Sequence, residues 1–170
     1  MTYYAQGDWT VAENSLVGQD FVATNTTAQH ALGTIVRAKH VTYGTGEFIY
    51  LAGVASCAEG SWVTYNLDDG STTLLAANAI GPVALAMAAT TASYYGWFQI
   101  SGKALGKGLT SLASNNRVWI TSTGGSVDDA SVAGDGVNLA KTASAIHTPA
   151  TGLAEFEISR PFVDDKTSFS

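Results

Sequence analysis

Four groups of residues have types suited to chemistry. Cys57, the single cysteine, carries a thiol that becomes a nucleophile when a base lowers its pKa, and His30, His40 and His147 are the available imidazoles. None is spaced to be held beside Cys57 by local structure, so a thiol-imidazole pair would arise only by accident of folding. The same histidines put no two rings on one face of a short element, the arrangement a local metal site requires. The acidic pairs Asp68-Asp69, Asp128-Asp129 and Asp164-Asp165 carry oxygens suited to a hard cation, yet none follows a calcium-loop pattern. Asp-Asp before Gly70 is ordinary turn chemistry, because Asp bonds its own backbone and tolerates left-handed conformations. The stretch Gly102-Lys-Ala-Leu-Gly-Lys-Gly108 has the glycines and lysine of a phosphate-binding loop, but it is one residue short and no Ser or Thr follows Lys107. It reads as two turn glycines with solvated lysines. No catalytic residue, cofactor site or metal site is expected, and the chain is read as a structural or binding protein and not an enzyme.

Trp62, Trp97 and Trp119 raise a different chemistry, since flat indole faces on a β-surface cover the apolar faces of sugars. Strand tryptophans also belong in cores, and exposure separates the two readings. Asn25-Thr-Thr27 is a formal glycosylation acceptor, which matters only in a secreted eukaryotic chain.

The composition constrains what partners suit the chain. It has 18 Gly, only 13% charged residues and a net charge of −6, with 8 Lys and Arg. A nucleic acid would meet a repulsive field, and no basic stripe offsets it. Sparse surface charge instead favours burial against a protein partner. The first nine residues have neither a basic nor an apolar signal region, and the uncharged stretch 70–102 is broken by Gly81, Pro82 and many polar residues. Neither a secretory signal nor a membrane span is expected.

The positioning elements are strands. Thr34-Ile-Val-Arg-Ala-Lys-His-Val41 and Glu47-Phe-Ile-Tyr-Leu51 flank a turn placed at Tyr43-Gly-Thr-Gly46, a hairpin pattern. A second hairpin joins 61–66 to 71–75 through Leu67-Asp-Asp-Gly70. Val83-Ala-Leu-Ala-Met87 sets Val83, Leu85 and Met87 on one face and alanines on the other, which permits close approach of another layer. Residues 76–92 also leave room for a helical turn. The aromatic run 94–102 is a central strand with Trp97 and Gln99 on one face and Phe98 and Ile100 on the other. Residues 117–121 and 154–159 are further strands, with a weaker pair around Ser131 and Val137. In the last strand Phe156 and Ile158 face in, and Glu155, Glu157 and Ser159 face out. The fold class is all-β, a compact antiparallel β-sandwich or β-barrel with an extended N-terminal arm. The arm is residues 1–32, the β-domain 33–163 and a flexible C-terminal tail 164–170. Tyr3, Tyr4, Trp9, Phe21 and Val22 give the aperiodic arm its apolar groups, which either tuck onto the arm's own domain or reach a neighbour.

The stretches Gly33-Thr-Ile-Val-Arg37, Glu47-Phe-Ile-Tyr-Leu51 and Tyr95-Gly-Trp-Phe-Gln-Ile-Ser-Gly102, with Gly81-Pro-Val-Ala-Leu-Ala86 between them, resemble the head decoration, or cement, proteins of tailed bacteriophages. The resemblance covers about residues 32–163 and rests on soft motifs. It implies a virion protein, made in the host cytoplasm, that binds the exterior of a capsid as a homo-oligomer, with a trimer favoured. Its partner is then the major capsid protein, and neither nucleic acid, membrane nor cofactor takes part. On that reading Tyr3, Tyr4, Trp9, Phe21 and Val22 are the interface residues, since aromatic anchors carry a disproportionate share of interface energy. The alternative from the tryptophans is a carbohydrate-binding or host-adsorption module of a phage particle.

Overall fold

A computed structural model describes the backbone of Tyr4–Ala5 and residues 19–166. Among these, eleven strands form one wholly antiparallel sheet: β1 (Tyr4–Ala5), β2 (Ile35–His40), β3 (Gly44–Ala52), β4 (Trp62–Tyr65), β5 (Thr72–Leu74), β6 (Ile80–Ala86), β7 (Tyr95–Lys107), β8 (Arg117–Ile120), β9 (Val127–Asp128), β10 (Gly136–Thr142) and β11 (Leu153–Asp164). The all-β class read from alternation and glycine punctuation holds. No helical turn occurs in 76–92; β6 occupies its middle.

The sheet curls into two circuits that share β7. In the first, β3 pairs β7, β7 pairs β6, β6 pairs β4 and β4 pairs β5. Ala52 at the end of β3 closes it, its N–H donating to Gly70 O at 2.9 Å and its carbonyl accepting from Thr72 Oγ1 at 2.7 Å. Ile49, Leu51, Val63, Ala84, Ala86, Phe98 and Ile100 fill this circuit. The alanines of β6 are required there, because a small side chain opposite Phe98 lets the strands close tightly.

In the second circuit the C-terminal half of β7 pairs β11, which continues through β10 and β8 to β9. Val127 of β9 returns to the end of β7, bridging Gly108 and accepting from Leu109 N–H at 3.0 Å. Ala104, Val118, Ile120, Val127, Val137, Phe156 and Ile158 share its core with Trp62 and Leu85. Phe156 and Ile158 point inward as the alternation requires, but Glu155 is only half outward. Its carboxylate pairs with Lys103 Nζ at 2.6 Å.

Three local readings are corrected. Residues 102–108 are not a turn with solvated lysines, because β7 runs on through Lys107. Lys103 pairs Glu155 and lies over the Tyr43 ring at 5.5 Å, and Lys107 O accepts from Trp62 Nε1 at 3.1 Å. The first hairpin reverses at residues 41–43, earlier than Tyr43–Gly46, because His40 Nδ1 accepts the N–H groups of Thr42 and Tyr43 at 3.1 and 3.2 Å. Gly44 already pairs with His40. Ser131 lies in irregular backbone between β9 and β10, and Val137 belongs to β10.

A bulge sets the path of β7. Between the Phe48–Gln99 and Glu47–Ser101 pairs β7 carries one extra residue. The buried Gln99 amide donates to Ser101 O at 3.0 Å and to Lys103 O at 3.1 Å, satisfying carbonyls that the bend removes from the ladder. Gly102 sits in this bend at φ +98°, and a Cβ there would lie 2.5 Å from Thr45 O. Gly152 has φ +76° with open space around it. Gly102→Ala is therefore expected to lower unfolding free energy by at least about 2 kcal/mol, and Gly152→Ala by about 1 kcal/mol. Urea midpoints of the two variants check the difference, and equal losses would show that the contact with β3 does not matter.

Candidate functional surface

The interface residues proposed from sequence fall in different places. Tyr3 and Trp9 lie outside the described residues, and Tyr4 is placed as backbone in β1, paired with Lys39. Phe21 is buried. Its ring packs 4.5 Å from Phe48 and 5.2 Å from Trp97, completing a cluster on the outer face of β3 and β7 with Val36, Ala38 and Tyr50. Residues 19–34 are tied onto this face: Asn25 and Tyr95 exchange backbone hydrogen bonds at 3.0 and 2.8 Å, and Gly33 N–H donates to Tyr50 O at 2.8 Å. Val22 is 40% exposed. Of the two arm residues with described side chains, Phe21 is thus a core residue of its own domain and only Val22 is presented outward. Phe21→Ala is expected to cost about 3 kcal/mol and Val22→Ala less than about 0.5 kcal/mol, read from chemical denaturation. Comparable small losses would mean the 19–34 segment contributes no core.

The groups with reactive side chains are engaged in structure. Cys57 is buried within the first circuit. His30 hydrogen-bonds Gln19 Oε1 at 3.0 Å and packs edge-on to Tyr50, His40 caps its turn, and His147 Nδ1 accepts Gly152 N–H at 3.0 Å. Asp69 accepts from Ser71, and Asp129 from Ala113 N–H and the Asn116 amide; these bonds hold both carboxyls below the ordinary range. Among the described residues no group of three His, Cys, Asp or Glu side chains converges on a metal position. Trp62 and Trp97 are core residues, and Trp119 is half-buried with Arg117 over its ring at 5.7 Å.

What the fold does present is a strip of exposed apolar residues along β6, β11 and β10. Phe162 of β11 stands opposite Pro82 of β6 on one side and Asn138 of β10 on the other. Directly paired residues share a face, and Ile80, two residues before Pro82, joins them. Leu67, beyond β4, and Leu139, in β10, extend the row to both ends. Their exposures are 69% at Leu67, 69% at Ile80, 41% at Phe162 and 66% at Leu139. Two open clefts take in residues of the strip. One of about 600 Å³ lies between Tyr65, Leu67, Asp68, Ile80 and Pro82. The other, about 500 Å³, lies between Arg117, Leu139, Lys141 and Glu157.

Searches against protein-family models, curated proteins and solved structures return no match.

Sequence reasoning missed this strip, although signals were present. Phe162 and Val163 are adjacent, so a strand must expose one of them, and Val163 is the buried one. Leu139 is in phase with buried Val137, but a register shift between Asn138 and Ala140 turns it outward, with φ +59°. The same shift places Arg160 at φ +50°, its Nε 3.1 Å from Glu47 Oε2, while Arg37 Nε lies 3.1 Å from Glu47 Oε1. Burial pushes the Glu47 carboxyl up, but the hydrogen bonds and charges of Arg160 and Arg37 outweigh it and hold the group below its ordinary value of 4.5. The folded chain therefore binds this proton less tightly than the unfolded chain. The stabilisation is full above pH 4.5 and is lost as pH falls through the lower folded pKa. Glu47→Gln is expected to reduce stability at neutral pH and to make the loss on acidification shallower, so that the gap between the two proteins narrows as pH falls through the lowered folded pKa. Parallel stability profiles with a constant gap as pH falls below 4.5 would show that Glu47 is not coupled to its arginines.

Proposed function

We propose that this chain is a structural virion protein that binds the outer surface of a phage capsid and stabilises contacts between major capsid protein subunits. The observation that carries the reading is the position of the resembling stretches. They form β2, β3, the N-terminal half of β7 and β6, four neighbouring strands, and the N-terminal segment meets the edge of that same group at β1. The domain beneath that segment keeps its core through Phe21. A low-charge, acidic exterior suits a protein surface and not a nucleic acid.

The mechanism is mass action: a ligand with affinity only for the assembled shell stabilises that shell. Modest contacts repeated by symmetry gain strength from effective concentration within each oligomer. The adsorption reading rests on Trp119 alone, since Trp62 and Trp97 are covered.

The test is co-sedimentation of the purified chain with expanded capsids that lack it. Saturation at a symmetry-related copy number, with a raised capsid melting temperature, is expected. Deletion of residues 1–18 should abolish binding while leaving the Phe21 cluster and the domain's own melting transition intact. Absence of binding by the full chain would overturn the proposal, and unchanged binding by the deletion would overturn the role of the N-terminal segment.

A further inference from the structure

We propose that the cleft where β4 parts from β6 is a binding site for a neutral saccharide. The cleft is a product of the backbone. β4 pairs β6 from Trp62–Leu85 to Thr64–Val83, and the next pair in that register would be Tyr65 with Pro82. Proline has no N–H with which to continue the ladder. From Pro82 back to Ile80 the strand pairs β11, at Phe162, Val163 and Asp164. The β4–β5 hairpin and the start of β6 therefore diverge, and about 600 Å³ of open space lies between them. That is within the roughly 300–1,000 Å³ range of small-ligand sites.

The chemistry of its walls selects the ligand. One wall is the turn 66–71, held by its own bonds: Asn66 N–H donates to Ser71 O, Gly70 N–H to Asn66 O and Asp68 N–H to Asn66 Oδ1, each at 2.9 Å. These bonds fix Asp68 without using its carboxylate, so the acceptor is ordered before a ligand arrives. The two oxygens of a carboxylate accept from neighbouring hydroxyls of one ligand, and charge-assisted bonds of this kind are about twice as strong as neutral ones. Thr64 and Thr73 add hydroxyls to the lining. Tyr65 supplies a half-buried ring, and Ile80 and Pro82 supply aliphatic surface, against which the C–H face of a sugar ring can lie. No lysine, arginine or histidine lines the cleft. Arg160 is near enough to Tyr65 to act on its hydroxyl, but its guanidinium is bound to Glu47. An anion thus finds no counter-charge, and a hard cation, which takes about 6–8 oxygen ligands, finds one carboxylate. An uncharged ligand with adjacent hydroxyls and an apolar face is the class that fits. The site owes nothing to the tryptophans.

The proposal stands apart from capsid binding, and its failure would leave that reading where it is. The test is NMR titration of the full, isotopically labelled chain with glucose, galactose, mannose and N-acetylglucosamine, each to about 50 mM. N-acetylneuraminic acid and calcium chloride are separate arms. Saturable shifts confined to residues 64–73 and 80–82 are expected with at least one neutral sugar and with neither charged probe. Asp68→Ala is expected to raise the dissociation constant of that sugar at least about 10-fold. Asp68 is exposed and its carboxylate holds nothing in the fold, so this variant keeps its melting temperature. No saturable shift with any neutral sugar, shifts centred elsewhere, tighter binding of N-acetylneuraminic acid or calcium at these residues, or a dissociation constant unchanged in Asp68→Ala would each overturn the proposal.

Discussion

β7 needs a core on both of its faces. Its 13 residues belong to both hydrogen-bonded circuits, with Phe98 and Ile100 packed inside the first, Trp97 against the Phe21 cluster outside it, and Ala104 inside the second. A strand buried on both faces cannot follow simple polar-apolar alternation. That is why the segment 94–102 is dense in large side chains, and why 102–108 is poor in them. Gly106 fits where a Cβ would lie 2.7 Å from Leu85 and 2.8 Å from the Trp62 indole nitrogen, so the second half of β7 is thinned to let the second circuit close against it.

The bends that make this sharing possible also generate the surface. One lies at Gly102, where β7 passes from β3 and β6 toward β11; the other opposes Leu139 to residues 159–161 of β11. The first carries one extra residue and the second two, and each locally re-aims the side chains beside it. At the first bend this costs little, since Gln99 satisfies the freed carbonyls. At the second it turns Leu139 outward and frees Arg160 to reach back to Glu47. Exposed apolar residues beside a bulge are thus a consequence of how the second circuit joins the first.

This accounts for what the sequence disclosed. Hairpins were legible because turn chemistry and alternation are local: Asp-Asp-Gly70 with its flanking strands, and the inward pair Phe156 and Ile158, are read from a few neighbours. The continuation of β7 through Gly102 was not legible, because those glycines answer to Thr45, Trp62 and Phe156, residues from 44 to 57 positions away. Phe21 reads as a loose apolar residue for the same reason. Its partners Phe48 and Trp97 give it no periodicity of its own. The surface strip was least legible, since it draws on three strands and a turn, and Leu139 joins it only through the register shift between β10 and β11.

The strip also differs in kind from the other place where a β-protein meets partners, its sheet edge. β6, β11 and β10 each have neighbours along both sides, so their backbone N–H and C=O groups are not available to a further strand. Edge pairing propagates, because each added strand presents a new edge. Contact through side chains on a fully paired face adds no such edge. The β2 edge, the one that would propagate, is met at Ala38 and Lys39 by the chain's own β1.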